Sequence, residues 1–394
     1  MVYLDNSATT RQYDEVTDLI YDLSKSRWGN PSSLHSLGFD ASTTLKKSRK
    51  DIEDEFYGNG QVIFTSGGTE SDNMALLSTV RKMKRRGNKI VTSKIEHPAI
   101  LETCKRLEED GFHVTYLDCD VDGYVEPQAV KAALDENTIM VSLMTVNNEV
   151  GTIEGVLPAY RFVQEFNKKN GTNIVFHTDA VQAFGKLRFD DVPFDLISAS
   201  GHKIHGPKGV GFLYMNKNLK LPAFITGGGQ EGGYRSTTEN MPGIAGLALA
   251  VQKSYQNFEN KMYKMAECND YLRKGLGAEL PELMLNGPEE LGFTLFDAGK
   301  RCPSVLNISF LGTRGEVLLH TLEQDGIFVS TGSACASHHT GDSHVLQAMS
   351  LDHKEIESAI RFSFSEFNTI EEMDYVIDKT KNAVNRFRKL GSFR

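Results

Sequence analysis

Cysteine is scarce and scattered in this chain. The five thiols, Cys104, Cys119, Cys268, Cys302 and Cys335, are odd in number and form no C-x-x-C pair. That excludes a secreted disulfide framework and favours a reducing compartment. Long apolar runs are missing as well: nothing approaches the roughly 18 uninterrupted apolar residues of a membrane span. The start, Met1-Val2-Tyr3-Leu4-Asp5-Asn6, lacks the basic and then apolar regions of a signal peptide. Basic excess is also absent, with 43 Lys and Arg against 52 Asp and Glu and a net charge of −9. A broad phosphate-neutralising surface is therefore not expected. No internal repeat of roughly 20–50 residues and no low-complexity tract is evident. The expectation is a soluble cytoplasmic protein with no direct nucleic-acid or membrane partner.

What is present describes an ordinary globular chain, 40% hydrophobic and 24% charged, whose 394 residues exceed one ordinary core. From about residue 60 to 250, short apolar runs alternate with stretches of helical spacing. Gln61–Thr65, Lys89–Thr92, Val114–Leu117, Ile139–Leu143, Ile174–Phe176, Phe194–Ser198 and Val210–Tyr214 read as strands. Leu76, Leu77, Val80 and Met83 read as one helix face. Strands separated by crossover-length segments imply an α/β fold with a mostly parallel sheet covered on both faces. After about residue 255 the chain turns to long helical stretches (255–280, 316–324, 369–388) with fewer strands, notably Val305–Phe310 and Ile360–Phe364. The expected organisation is a large domain over 16–254 and a smaller α+β domain over 1–15 plus 255–394. The cationic run Arg81, Lys82, Lys84, Arg85, Arg86 and Lys89 is read as a solvated helix C-terminus before Gly87, where positive charge complements the dipole.

In parallel sheets ligands sit at the carboxyl ends of the strands, and five such loops carry reactive groups. Ser200-Gly201-His202-Lys203 places a lysine just past a strand; lowered in pKa, such an amine forms Schiff bases, although a lone lysine is more often a surface charge. The same loop misses a nucleotide-triphosphate motif because Pro207 stands where the lysine belongs. His177-Thr178-Asp179-Ala180-Val181-Gln182 puts an acid where it could protonate a pyridine nitrogen, or simply cap a helix. Thr65-Ser66-Gly67-Gly68-Thr69-Glu70 joins a strand to a helix start, an anion-binding corner in which Glu70 also suits a plain cap. Glu96-His97-Pro98 and Asn147-Asn148-Glu149 add an imidazole and an amide. Gly227–Gly232 matches G-x-G-x-x-G, but no helix pattern follows, so a dinucleotide site is rejected. One ligand would use the five loops together: pyridoxal phosphate.

These stretches in this order, with Ser330-Thr331-Gly332-Ser333-Ala334-Cys335, closely resemble the NifS/IscS-type (group I) cysteine desulfurases of the class V aminotransferase superfamily. The resemblance runs from Tyr3-Leu4-Asp5-Asn6-Ser7-Ala8-Thr9-Thr10 to Ser358-Ala359-Ile360-Arg361-Phe362-Ser363. It implies the fold-type I architecture and removal of sulfur from L-cysteine, giving L-alanine and a persulfide on Cys335. It further implies that Lys203 carries the cofactor and that His97 stacks on its ring and assists proton transfer. Asp179 would pair with the ring nitrogen, and Gln182 and Asn148 would contact the ring's oxygen side. Gly68, Thr69, Ser200 and His202 would hold the phosphate, and Thr238 would reach the phosphate of the neighbouring subunit in a homodimer. Arg361, with Asn148, would bind the substrate; alternation places Arg361 on the strand face opposite Ile360, Phe362 and Phe364.

Cys335 lies in a segment, 332–344, almost empty of large apolar residues, which suits an exposed, mobile thiol. Cys335, His338, His339 and His344 are ligand-type side chains, but their spacing fits no standard zinc pattern. The other cysteines read as structural. Two positions depart from the family: Thr237 stands where glycine commonly precedes the phosphate-binding threonine, and the His338-His339 pair is unfamiliar after the cysteine. A selenocysteine lyase, a class V aminotransferase and a non-catalytic sulfur-transfer scaffold are the rivals. The acceptor is open between an iron–sulfur scaffold and a tRNA-thiolation enzyme.

Overall fold

The computed structural model describes residues 1–58, 60–190, 192–331 and 342–390. Cys335, His338 and His339 lie outside the described residues. In chain order the strands are β1 (Val2–Tyr3), β2 (Gln61–Thr65), β3 (Lys89–Ser93), β4 (His113–Leu117), β5 (Thr138–Ser142), β6 (Val175–Asp179), β7 (Leu196–Ser200), β8 (Gly211–Met215), β9 (Leu283–Asn286), β10 (Val305–Phe310), β11 (Ile327–Phe328) and β12 (Ala359–Ser363). The first helices are α1 (Asp14–Ser26), α2 (Ser36–Glu53), α3 (Gly68–Met83), α4 (Pro98–Glu109), α5 (Pro127–Ala133) and α6 (Val156–Asn170). They are followed by α7 (Met241–Tyr255), α8 (Phe258–Glu279), α9 (Gly315–Gln324), α10 (His344–Ala348), α11 (His353–Glu357) and α12 (Ile370–Leu390).

The principal sheet has the order β2-β8-β7-β6-β5-β3-β4. β7, β6, β5, β3 and β4 pair in parallel, whereas β8 runs antiparallel to both its neighbours. Val91, Val141, Phe176, Ile197 and Phe212 pack into one core; Ile63, Ile90, Met140, Val175 and Leu213 pack into another on the opposite face. Burial on both faces is why these strands read as continuous apolar runs without alternation. The strand order reverses between β3 and β5, so the loops leaving those two strands diverge and open a crevice at their carboxyl ends.

The second sheet, β12-β10-β9, is antiparallel. Here alternation holds: Leu306, Ile308, Phe310, Ile360, Phe362 and Phe364 enter a core shared with α8, α9 and α12. Val2 and Leu4 join that core, and β1 pairs with β11. Residues 302, 345, 346, 349, 356 and 359 pack instead into the core of the principal sheet. The basic run ends α3 as expected, with Arg81 and Lys82 reaching the carbonyls of Ala223 and Lys220. Gly227–Gly232 leads into a short 3₁₀ turn, and the next helix starts at Met241. Among the described residues no helix is long and apolar enough to cross a membrane.

Candidate active site

A cavity of about 180 Å³ lies at the carboxyl ends of the parallel strands. Its wall includes Gly68 and Thr69 from the start of α3, His97 after β3 and Asn148 after β5. Asp179 at the end of β6 and Gln182 beyond it, Ser200 at the end of β7, and His202 and Lys203 on the turn that follows also line it. Nine of the expected residues therefore share one space, although the strands that deliver them are far apart in sequence.

Each loop is fixed by local chemistry. Glu96, fully buried, accepts hydrogen bonds from Ser93 Oγ at 2.7 Å and Met144 N–H at 2.9 Å, joining the loops on either side of the crevice. Burial pushes its carboxyl up to about 8, so it holds its proton at neutral pH. His97 caps α4, its Nδ1 accepting from Ala99 N–H at 3.1 Å. That bond puts the single proton of the neutral ring on Nε2. Burial, then the nearby Lys203 and His344, push its pKa down to about 4. The Asn147 side chain accepts from the N–H groups of Glu149 and Val150, a local turn that presents Asn148 to the cavity.

Asp179 closes β6. One oxygen accepts from Val181 N–H at 2.8 Å in a local turn; no helix follows, so the helix-capping role open in the sequence is not taken. Burial raises its pKa to about 6, opposed by that N–H and by Lys203. Beneath it, His177 is held between Ser142 Oγ and Ser198 Oγ, each at 2.9 Å. Gly67 enters α3 with φ of 154°, a region open to glycine, and a Cβ on Gly68 would approach Val181 Cγ2 to 2.7 Å. The helix start thus lies bare beside the cavity, with first-turn amides that have no acceptor within the helix. Glu70 accepts from Ser66 N–H and pairs with Arg235, the plain capping role.

Lys203 sits on a 3₁₀ turn after β7, half-buried, its Nζ donating to the carbonyls of Ser7 and, at 2.9 Å, Ala8. The N-terminal segment is bonded to this turn throughout. Thr10 N–H reaches His202 O, His205 N–H reaches Thr10 Oγ1, and Tyr13 N–H reaches His205 O.

Two expected residues lie elsewhere. Arg361 on β12 is buried behind the Asn148 loop, donating to Asn148 O at 2.9 Å and Asp5 Oδ1 at 3.0 Å, and is not part of the cavity wall. Its face of β12 is the one that alternation assigns, since Ile360, Phe362 and Phe364 enter the core. Thr238 is exposed on the loop before α7 and does not line this cavity. Thr237 does not adopt a positive φ, so the β-branched side chain meets no left-handed backbone there. Sequence reasoning missed Ser7, Asp72, Met144, Val146 and Val181 in the wall. For Asp72 a signal existed: it shares a helix face with Gly68 and Thr69 at i+4 and i+3.

Two buried polar atoms of the wall make no hydrogen bond among the described residues. They are Ser7 Oγ and Asp72 Oδ1, the latter 3.6 Å from His177 Nε2. Buried polar groups are almost always satisfied, so these orphans mark a space shaped for a polar ligand. An amine, a buried acid, a neutral imidazole and a bare helix start suit a flat heteroaromatic aldehyde bearing a phosphate.

The aminotransferase class-V family model matches residues 2–376. The chain is 41% identical to the cysteine desulfurase IscS of Clostridium botulinum (strain Hall), over 99% of this chain and 96% of that protein. A solved NifS-like protein is 36% identical and superposes with a TM-score of 0.88, covering 98% of this chain and 99% of that one. The structure of SspA in complex with cysteine is 30% identical, with a TM-score of 0.78, over 94% of this chain and 100% of the other. The fold, the crevice and the grouped loops agree with that likeness, and the chain belongs to the pyridoxal-phosphate-using class V aminotransferase family, among its IscS/NifS cysteine desulfurases.

Proposed function

We propose that the cavity binds pyridoxal 5'-phosphate and L-cysteine, and that Cys335 receives the sulfur. The observation that carries this reading is the convergence of Lys203, Asp179 and His97 on one cavity at the bare start of α3. When bound, the cofactor supplies an aldehyde that condenses with amines and a ring that accepts negative charge from the substrate's α-carbon.

The chain's own residues divide the work. Gly68, Thr69, Ser200 and His202 surround the phosphate at the helix start. Asp179, once ionised, holds the proton of the ring nitrogen; a cation at that point supplies the partner its buried carboxyl lacks. Gln182 and Asn148 face the ring oxygen. Lys203 carries the cofactor and, displaced by substrate, its amine moves the α-proton. His97 packs on the ring and offers Nε2–H to groups above it. Arg361, beside the Asn148 loop, serves the substrate carboxylate with its planar fork. Thr238 reaches the phosphate of a second copy in a homodimer.

The sulfur step is balanced without an outside oxidant. The Cys335 thiolate attacks the substrate sulfur, a sulfur–sulfur bond forms, and the carbon–sulfur bond breaks. Protonation at carbon gives alanine, and Cys335 is left as a persulfide for an acceptor protein. The other cysteines suit this role poorly. Cys104, Cys268 and Cys302 are buried, and burial pushes the thiols of Cys104, Cys119 and Cys268 up to about 12, 11 and 11.

Mass spectrometry after adding L-cysteine to the purified, cofactor-loaded protein tests the reading. The expected result is one added sulfur on Cys335, and in Cys335→Ala a loss of sulfide release with cofactor binding intact. Alanine formed at the wild-type rate by Cys335→Ala would refute the role of the thiol.

A further inference from the structure

Lys186 has no place in the chemistry so far, yet it is a buried lysine. It lies in the turn after β6, only 7% exposed. It borders a 20 Å³ void together with Lys203, His205 and Glu366. Among the described residues it has no carboxylate within ion-pairing distance; Cys302 and Glu366 act on it only from farther away, while burial and Arg361 disfavour its charge. A buried ammonium without a close counter-ion is retained against a large desolvation cost.

The hydrogen bond that its side chain makes among the described residues explains where it acts. Nζ lies 3.2 Å from Gln182 Oε1, and Gln182 Nε2 donates at 2.9 Å to Ser7 O. Ser7 O is also an acceptor for Lys203 Nζ. An ammonium can only donate, so the amide oxygen of Gln182 must face Lys186 and the NH₂ group must face the other way. Ser7 O takes one hydrogen of that NH₂ group, and Gln182 lines the cavity, so the second is left for an acceptor there. Turned over, Gln182 would bring its oxygen to Ser7 O and its NH₂ to Lys186, two repulsive contacts at once.

We infer that Lys186 is a positioning residue which fixes the amide of Gln182 so that N–H, not C=O, meets an anionic ring oxygen of the ligand in the cavity. The inference rests on the cofactor reading given above. It assigns to a buried cation outside the cavity wall the choice of which end of an amide the ligand meets.

The test is the affinity of the apoprotein for pyridoxal phosphate, measured by equilibrium dialysis, with no turnover involved. Lys186→Met removes the donor and is expected to weaken binding about tenfold, the loss of one well-placed hydrogen bond to a charged group. Lys186→Gln keeps an N–H for the Gln182 oxygen and is expected to stay within about threefold of wild type. In a Gln182→Leu background, Lys186→Met should add less than about twofold, because the two residues act as one unit. Equal affinity of wild type and Lys186→Met overturns the inference, and so does a full Lys186→Met loss that persists without Gln182. Gln182→Glu is a variant that leaves Lys186 untouched. It pairs with the lysine but has no N–H to offer, so it should bind no better than Gln182→Leu; binding tighter than wild type would again overturn the assignment. Failure of the wild-type apoprotein to take up pyridoxal phosphate is a different result, and sinks the cofactor reading instead.

Discussion

The two sheets handle buried polar residues in opposite ways. In the principal sheet the strands are mostly apolar on both faces, with buried His177 and Ser198 among the exceptions, and polarity gathers toward their carboxyl ends, in Asp179, Ser200 and the loops beyond. In the antiparallel sheet the polar side chains Asn286, Asn307, Ser309, Arg361 and Ser363 gather on one face, beside Val305 and Ala359. Asn286 donates to Asn307 Oδ1 and Ser309 Oγ at 2.8 Å, Asn307 reaches Glu149 O, and Arg361 reaches Asn148 O. Both arrangements leave buried polar atoms without a hydrogen bond among the described residues, but those of the first, Ser7 Oγ and Asp72 Oδ1, lie in a cavity wall, whereas Asn286 Oδ1 and Arg361 Nε of the second do not. The second spends its side chains on holding the back of the Asn148 loop. On the proposed function the cofactor is held at the first, while the second supports the Asn148 loop and supplies Arg361 for the substrate.

Three variants would break or sharpen that contrast. The largest effect is expected for Lys203→Ala, which should cut desulfuration by about a thousandfold or more and abolish the visible absorption of the loaded protein, with cooperative unfolding retained. An undiminished rate would remove chemistry from the principal sheet. Phe362→Ala, in the apolar face of β12 at 0% exposure, is expected to cost about 3–5 kcal/mol in denaturant unfolding. Its cofactor absorption should match that of the wild type; a changed spectrum would show that the two sheets are not separable in this way.

The smallest effect is a slope. Glu96 has a folded-state pKa of about 8, raised from the ordinary 4.5 by burial. The folded state therefore binds more protons than the unfolded chain between those values, and stability falls as pH rises through that window. Glu96→Gln cannot ionise, so its thermal midpoint should decline less than that of wild type between pH 5 and pH 8. Parallel curves would mean that the carboxyl is already ionised in the folded protein.

What the sequence disclosed follows the same division. Gln61–Thr65 and Val305–Phe310 stand as β2 and β10 with the bounds read from the pattern, because apolar runs between turn signals are a strong local signal. The run read as 194–198 is displaced to 196–200, since a strand buried on both faces has no alternation to fix its ends. Arg361 could be assigned a face because β12 alternates. Lys203, His97, Asp179 and Asn148 were legible as strand-end residues, but Ser7 was not. Its place in the wall depends on Leu4 N–H meeting Phe328 O and Ser7 N–H meeting Ser363 Oγ, contacts across more than three hundred residues. Pattern reading is local, and such closure is not.

That closure sets an order of assembly. Residues 2–8 meet Gln182 and Lys203 at the cavity, but the pairing that fixes the path of their backbone comes from 326–328 and 361–363. Until 326–328 and 361–363 have been synthesised, the carbonyls that receive the Lys203 amine lack the strand partners that hold their segment against the rest of the fold. A nascent chain should therefore capture its vitamin-derived ligand late, after release, and fragments ending before residue 359 should stay empty however well their large sheet has formed.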